Sequence, residues 1–480
     1  MKIRFLTLFL IFYTTLWAEK TVMISNLRPR TDTDGQIVDA HDGRIAQFNG
    51  AFYWYGTAYG ATNGLQLSNF FQSYSSPDLT NWKKEGPLLK NAPTGVYYRP
   101  QVVYNAKTKK YVLWYNWYPT RWKGQFGVAV SVSPSGPFKI MNPDVKVAHS
   151  ADGVGDCGLF VDDDGTAYLT YNTVTDHLGY VEKLNANYLS STLENSGPLT
   201  ENCEAGALFK RDGKYYLLTD MTCCFCTQGS GVRVYSSDKP LSGYVRRSNI
   251  NRFPGTPAPM LVDGVLSPNL YTTVRKNADG AFSAIQINFQ GDSTFNTIKV
   301  IQFTGNRKGT LGDTSALQAN EPIEAPSFEV QYWKNGYWIP VRISEKAMSS
   351  SVYTLLDLRF DPIKTKRLRI LTNKNFPYNL MLNEIEVSEN TQMLSGGAQA
   401  FLIDQDPEMC MPQSPGQQTC VMPLQTADGI RFIWMADLWG SASDNIKGHD
   451  YQYWGAPLEF DPKGDIEPMK WVDTWHVKLP

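Results

Sequence analysis

Three carboxylates stand at nearly constant distance upstream of glycine turns: Asp42 lies eight residues before Gly50, Asp156 nine before Gly165, and Glu204 nine before Gly213. Their surroundings are alike, in Asp39-Ala-His-Asp-Gly-Arg-Ile45, Gly155-Asp-Cys-Gly-Leu-Phe160 and Asn202-Cys-Glu-Ala-Gly-Ala-Leu-Phe-Lys210. An acid among small and apolar neighbours is costly unless it is partnered or used. Carboxyls whose pKa values are pushed apart suit cleavage of a glycosidic bond, in which one protonates the leaving oxygen while another activates water. In the inverting version the two stand roughly 6.5 to 9.5 Å apart, leaving room for that water. The competing use is structural, with the acids bonding strand edges or holding a metal.

The constant spacing implies a repeated element that sets the depth of each acid. A turn followed by alternating aromatic and apolar residues recurs in Phe48-Asn-Gly-Ala-Phe-Tyr-Trp-Tyr55, Lys107-Thr-Lys-Lys-Tyr-Val-Leu-Trp114 and Asp163-Asp-Gly-Thr-Ala-Tyr-Leu-Thr170. It returns in Arg211-Asp-Gly-Lys-Tyr-Tyr-Leu-Leu218 and Ala427-Asp-Gly-Ile-Arg-Phe-Ile-Trp434. Each is a hairpin signal, a turn plus a period-two strand. Five such units of roughly fifty residues predict an all-β, five-bladed β-propeller, which brings one strand of every blade to a central funnel. Aromatic residues able to cover sugar faces there are Tyr55, Trp114, Trp117, Trp439 and Trp454, although most propeller aromatics are packing.

The fourth and fifth repeats are about 160 residues further apart than one unit needs. That is room for a complete β-sandwich threaded into a loop, where insertions are tolerated. Linker-like stretches at Arg252-Phe-Pro-Gly-Thr-Pro-Ala-Pro259 and Leu394-Ser-Gly-Gly-Ala398 bound it. Within it, Ser283–Phe289, Thr297–Phe303, Ser327–Trp333, Lys366–Leu371 and Leu382–Val387 alternate as strands with one buried face. The expected division is a leader at 1–18, blades 1 to 4 at 19–253, the insert at 254–393, and the completion of the propeller at 394–480.

Leu261-Val-Asp-Gly264, Phe328-Glu-Val-Gln-Tyr-Trp333 with Tyr337-Trp338, Arg367-Leu-Arg-Ile370 and Asn383-Glu-Ile-Glu-Val387 resemble the discoidin, or coagulation factor 5/8 C-terminal, domain over most of residues 255–390. That resemblance implies a jelly-roll sandwich, many of whose members bind carbohydrate, and a structural calcium at Asp263 with Glu384 or Glu386. The repeats resemble glycoside hydrolase family 43 over nearly all of 24–253 and 396–480. Gly155-Asp-Cys-Gly-Leu-Phe-Val-Asp-Asp-Asp-Gly165 maps the family's pKa-modulating aspartate onto Asp156, and the stretch from Cys203 to Tyr216 maps the general acid onto Glu204. The exo-β-1,3-galactanase branch is suggested by Asp32-Thr-Asp-Gly35 followed by Ala40-His41, by Tyr98-Arg-Pro-Gln-Val102, and by Met435-Ala-Asp-Leu-Trp439. In that branch a glutamine assists the water, and Gln417 occupies the matching place. This chain also has Asp42 where the wider family keeps its base. A carboxylate accepts a proton far better than an amide, so Asp42 is the favoured base and Gln417 a water or sugar ligand. Tyr98 replaces the glutamate with which the branch contacts substrate, a departure that bears on sugar specificity.

Of the 480 residues 19% are charged, with a net charge of -1, which argues against a nucleic-acid or anionic-membrane partner. Lys2 and Arg4 precede an apolar run from Phe5 to Trp17, the pattern of a secretory signal peptide. The seven cysteines would then mature in an oxidising compartment. Cys410 and Cys420, around a Pro/Gly loop, are expected to bridge, and the cluster at Cys223, Cys224 and Cys226 lacks the spacing of a zinc site. His41, His149, His177, His449 and His476 are scattered without metal-site spacing. The expectation is a secreted glycosidase that needs no cofactor and acts by inversion on a β-linked galactan or related side-chain polysaccharide. Its rivals are a non-catalytic glycan-binding or adhesion protein and an arabinofuranosidase or xylosidase of the same family.

Overall fold

The computed structural model describes residues 20–60, 70–120, 123–151, 153–220, 230–247, 250, 256–267, 271–274, 283–303, 307–308, 316–317, 328–335, 337–372, 380–404, 416–439, 450–470 and 472–480. Four antiparallel sheets of four strands occupy residues 41–87, 96–145, 154–195 and 207–246, and a three-stranded sheet occupies 417–457. These are blades 1 to 5. Their first strands, His41–Phe48, Val96–Asn105, Val154–Val161, Ala207–Arg211 and Gln417–Thr426, neighbour one another in a closed ring. The all-β, five-bladed architecture therefore stands.

The second strand of each blade shows why. Lys110–Tyr118 and Ala167–Thr173 are buried along almost their whole length, because both faces of a blade are covered by its neighbours. The hairpins turn where the glycines stand: Asn49 and Gly50 take φ of 52° and 80°, and Asp212 and Gly213 take 49° and 79°. Two left-handed residues in a row are what a tight hairpin needs. A strand at Lys20–Ser25 pairs antiparallel with Thr474–Leu479. Val22, Ile24, Trp475 and Val477 enter the core shared by blades 1 and 5, so the two ends of the described chain staple the ring shut.

Between blades 4 and 5 lies a separate nine-stranded antiparallel sheet with its own apolar core, including Ile285, Phe295, Val300, Leu356, Ile370 and Ile385. Three expectations change here. The segments expected as separate strands at 283–289 and 297–303 are one strand, Ser283–Phe303. Register shifts after Asn288 and Phe295 bend it, so that one half pairs with Gln399–Asp404 and the other with Glu384–Glu389. The insert also runs past the expected boundary at 393. Gly397 at φ 89° turns the chain within the sheet, with Ala398 N–H donating to Ser395 O at 2.9 Å, and Gln399–Asp404 closes the sheet rather than returning to the propeller. Finally, Cys420 is a free, buried thiol whose Sγ lies 3.7 Å from Met435 Sδ, so the expected bridge to Cys410 is not formed. Cys157 and Cys203 are likewise free and buried. Cys410, the Cys223–Cys226 cluster, His449 and the leader lie outside the described residues.

Because Thr256 pairs with Leu402, the strands by which the chain arrives in and leaves this sheet lie side by side. The insert thus hangs from one place on the ring.

Candidate active site

The innermost strands are not regular. The register slips between His41 and Arg44 in blade 1, Tyr98 and Gln101 in blade 2, Val154 and Cys157 in blade 3, and Gln418 and Cys420 in blade 5. A bulge leaves a residue outside the ladder and re-aims its side chain. Here it does so at one level of four strands, releasing Asp42, Arg99, Asp156 and the Gln418 region. Asp42 and Arg99 are left-handed, at φ 53° and 51°. Gly43 follows Asp42 because a Cβ there would lie 1.8 Å from Tyr55 O. In blade 4 the same level falls just before the first strand, where Glu204 is followed by Ala205 at φ 53°.

Arg99 ties these groups together. It is 2% exposed and donates from Nη2 to Asp156 Oδ2 at 2.5 Å, from Nη1 to Gln418 O at 2.8 Å, and from its backbone N–H to Asp42 Oδ1 at 3.3 Å. Asp42, 5% exposed, also accepts Thr57 Oγ1–H at 2.7 Å and Tyr59 O–H at 2.8 Å. Burial is the main cause that pushes its carboxyl up to about 7, against the pull of Arg99 and the Thr57 hydroxyl. Glu204 is raised well above the usual carboxylate range, first by burial, then by the charges of Asp156 and Asp220, with Arg99 opposing. Its Oε1 lies 3.6 Å from Nδ1 of His177, a half-buried imidazole whose own pKa burial lowers. The side chains of Asp156 and Glu204 keep an open edge, so a ligand can reach both.

Gln417 opens the first strand of blade 5, its Oε1 accepting Trp439 Nε1–H at 2.8 Å. Trp439 is buried against His41, stacked at 5.3 Å, and against Tyr59, and the half-buried Tyr98 packs on that pair. Trp439 is therefore the holder of Gln417 rather than an open platform. Trp114 and Trp117, expected to meet sugar, do not face the funnel. Trp114 is 0% exposed in the core between blades 2 and 3 and donates to Tyr188 O; Trp117 stacks on Tyr97 and donates to Pro143 O. Tyr55 and Trp454 are packing residues as well. Further along the same inner strands a cavity of about 430 Å³ runs between the blades, lined by Arg44, Gly158, Gly206, Thr419 and Phe432 among others. It lies past the acids and holds none of them.

In the insert, Asp263 and Glu384 do come together: they share a hydrogen bond, and burial followed by the charge of Asp263 pushes Glu384 up to about 8. Glu384 Oε2 is buried without a hydrogen-bond partner, a place a cation would fill. The donor set is two carboxylates, and calcium takes six to eight oxygens, so the rest would have to be backbone carbonyls or water. Among the described residues no group of three or more His, Cys, Asp or Glu gathers around one point, and no helix is long and apolar enough to cross a membrane.

The residues that sequence reasoning passed over are Arg99, Asp220, Asp437, Tyr59 and His177. A signal existed for three of them. Asp220 lies seven residues after Gly213 and Asp437 eight after Gly429, mirroring across the hairpin the acids that precede the turns, and Arg99 stands ten before the turn residue Lys109.

The family model "Glycosyl hydrolases family 43" matches residues 37–252, the span that contains Asp42, Arg99, Asp156 and Glu204. The chain carries a glycosyl hydrolases family 43 domain. Among solved structures, a family 43 β-1,3-galactosidase with galactodeoxynojirimycin is 20% identical over 94% of this chain and 99% of that one, with a TM-score of 0.52. An exo-β-1,3-galactanase from Clostridium thermocellum is 17% identical over 94% of this chain and 66% of that one, with a TM-score of 0.50. At such identities the likeness speaks for the fold. No curated protein matches the chain in sequence. The match thus spans blades 1 to 4, and Asp437 reaches it from blade 5, beyond the insert in sequence.

Proposed function

We propose that the protein is an exported glycosidase that hydrolyses a β-linked galactan or a related side-chain polysaccharide with inversion of configuration. The observation that carries this reading is the convergence of carboxyls from three blades around Arg99. Glu204, held protonated by burial and by Asp156 and Asp220, is the general acid. Asp156 is its modulator, since its negative charge favours the protonated form of Glu204 while Arg99 keeps it in place. Asp42, at about 7, is poised to take a proton from water near neutral pH, and Gln417 orients that water or a sugar hydroxyl. Tyr98, beside Tyr59, offers a half-buried aromatic face to the sugar. The likeness of the fold to a β-1,3-galactosidase and an exo-β-1,3-galactanase supports galactan as the first substrate to try. The apolar run from Phe5 to Trp17 supports export. We further propose that Asp263 and Glu384 hold a structural calcium in the insert, which resembles discoidin domains.

Glu204→Gln removes the proton donor and keeps the shape. Turnover is expected to fall about 10³-fold with sugar binding retained, and near-normal activity would sink the assignment. Turnover of arabinogalactan, arabinan and xylan, with the anomer of the first product read by NMR, tests substrate and stereochemistry. Cleavage of arabinan or xylan alone would favour an arabinofuranosidase or xylosidase, and glycan binding with no turnover of any substrate would favour a binding protein. Azide rescue of Asp42→Asn but not of Gln417→Ala identifies Asp42 as the base.

A further inference from the structure

Two buried aspartates have the same unusual job. Asp437 Oδ2 accepts the backbone N–H of Asp42 at 2.7 Å, and Asp220 Oδ1 accepts the backbone N–H of Glu204 at 2.7 Å. They are 1% and 0% exposed. Asp437 lies near the end of the second strand of blade 5, Gly429–Trp439, and Asp220 directly follows the second strand of blade 4, Lys214–Thr219. Each N–H they hold is one the sheet cannot use. Asp42 sits in the bulge between His41 and Arg44, and Glu204 precedes the first paired residue of its strand, Ala207. Asp220 serves its own blade, whereas Asp437 reaches from blade 5 to blade 1.

An amide or a hydroxyl could accept those N–H groups without burying a charge, which is expensive. The carboxylate adds a negative charge beside each reacting carboxyl. On the catalytic reading given above, we infer that Asp437 and Asp220 are paired positioning residues: Asp437 aims the base Asp42 and Asp220 aims the acid Glu204, each through the backbone N–H it accepts and with a carboxylate set beside the reacting group. The charges facing each group agree. Asp42 meets Arg99 and Asp437, with the Thr57 and Tyr59 hydroxyls donating to it, and Asp437 raises it. Glu204 meets Asp156, Asp220, Arg99 and His177, and Asp220 raises it. Asp437 faces His41, whose Nδ1 is 3.3 Å from its Oδ1 and whose Nε2 faces Asp450 at 3.2 Å and Asp39 at 3.9 Å. Asp220 also faces Cys203 and Arg99.

The test is the pH dependence of kcat/KM for Asp437→Asn and Asp220→Asn, which keep an acceptor oxygen for the N–H and lose the charge. The acidic limb reports the base, the alkaline limb the acid. In Asp437→Asn the acidic limb is expected to move about one unit towards lower pH with the alkaline limb in place. In Asp220→Asn the alkaline limb moves down by a similar amount and the acidic limb stays. The charge-keeping variants Asp437→Glu and Asp220→Glu displace the acceptor: kcat falls about 10-fold with both limbs in place. They carry the test if an amide variant fails to fold. Unmoved limbs in the amide variants, or moved limbs in the glutamate variants, would overturn the inference. Glu204→Gln run in parallel separates the failures: a dead Glu204→Gln with unmoved limbs overturns the inference alone, and an active one overturns the catalytic reading beneath it.

Discussion

The propeller and the insert are both antiparallel β structures, yet they treat buried charge in opposite ways. The insert packs Ile285, Phe295, Val300, Leu356 and Ile370 into an apolar core, and the one buried carboxyl among its described residues, Glu384, is pushed up to about 8 with Asp263 beside it. The propeller surrounds its axis with Asp42, Asp156, Glu204, Asp220 and Asp437, and buries Arg99 and His41 among them. Bulges occur in both, but in the insert they bend one long strand so that it pairs with two partners, and in the propeller they re-aim single side chains. In the insert Thr297–Phe303 runs in unbroken register against Tyr353–Arg359, whereas four of the five innermost propeller strands slip where a charged or polar side chain must point inward. The molecule thus separates a region that stores stability from one that spends it.

The strongest way to break this contrast is at Arg99. Arg99→Ala strands Asp156 and removes the bond to Gln418 O, and breaking a buried pair costs about 3 to 5 kcal/mol. The propeller should unfold at lower denaturant, with activity down at least about 100-fold; a variant with unchanged melting would mean that water, not Arg99, compensates the acids. In the insert the matching large change is Phe295→Ala, worth about 3 kcal/mol in its apolar core. Calorimetry should show the insert's transition alone moving, with turnover of a small aryl glycoside unchanged. A loss of both transitions together would show the two cores to be one cooperative unit.

Asp42→Asn should abolish turnover and stabilise the fold, by about 2 kcal/mol above neutral pH. The sign follows from a folded-state pKa raised to about 7: the contribution of Asp42 is fully favourable below its unfolded value near 3.8 and is lost as pH rises through 7. The amide never ionises, so its advantage should be absent at pH 4 and full at pH 8 to 9, and thermal melts at those pH values check it. The smallest effect is expected at Glu384. Raised from 4.5 to about 8, it loses its favourable contribution as pH rises through 8. Glu384→Gln should therefore gain about 1 kcal/mol at pH 9 in chelator, discounted for the water that still reaches that edge. Added calcium should stabilise the wild type and not this variant; equal stabilisation of both would remove the proposed ion.

The repeat and its interruption were legible because hairpin turns are local: Asn49-Gly50, Asp212-Gly213 and Asp428-Gly429 announce themselves in the chain and turn where they stand. Depth along the axis was legible too, since Asp42, Asp156 and Glu204 count alike to their turns. What surrounds each acid was not. Arg99 is an arginine before a proline in a stretch of ordinary strand residues, and nothing local says that its fork will reach Asp156, 57 positions away. Trp114 and Trp439 look alike as strand tryptophans, but one fills the space between blades and the other holds Gln417. The misjudged boundary has a similar origin, because Ser395-Gly-Gly397 reads as a linker and serves as a turn inside a sheet.

Composition, turn chemistry and the phase of three acids were enough to specify an all-β ring with an insertion and to set those acids at one depth in it. They suffice because a turn needs only its own residues and a strand's faces alternate with a fixed period. The tertiary structure alone decided which groups are charged neighbours, which N–H groups the blade 1 bulge and the lead-in to blade 4 leave for Asp437 and Asp220, and which aromatics pack beside the acids. Those depend on the closing of the ring, which brings blade 5 against blade 1 and sets Asp437 beside Asp42 across 395 residues of chain.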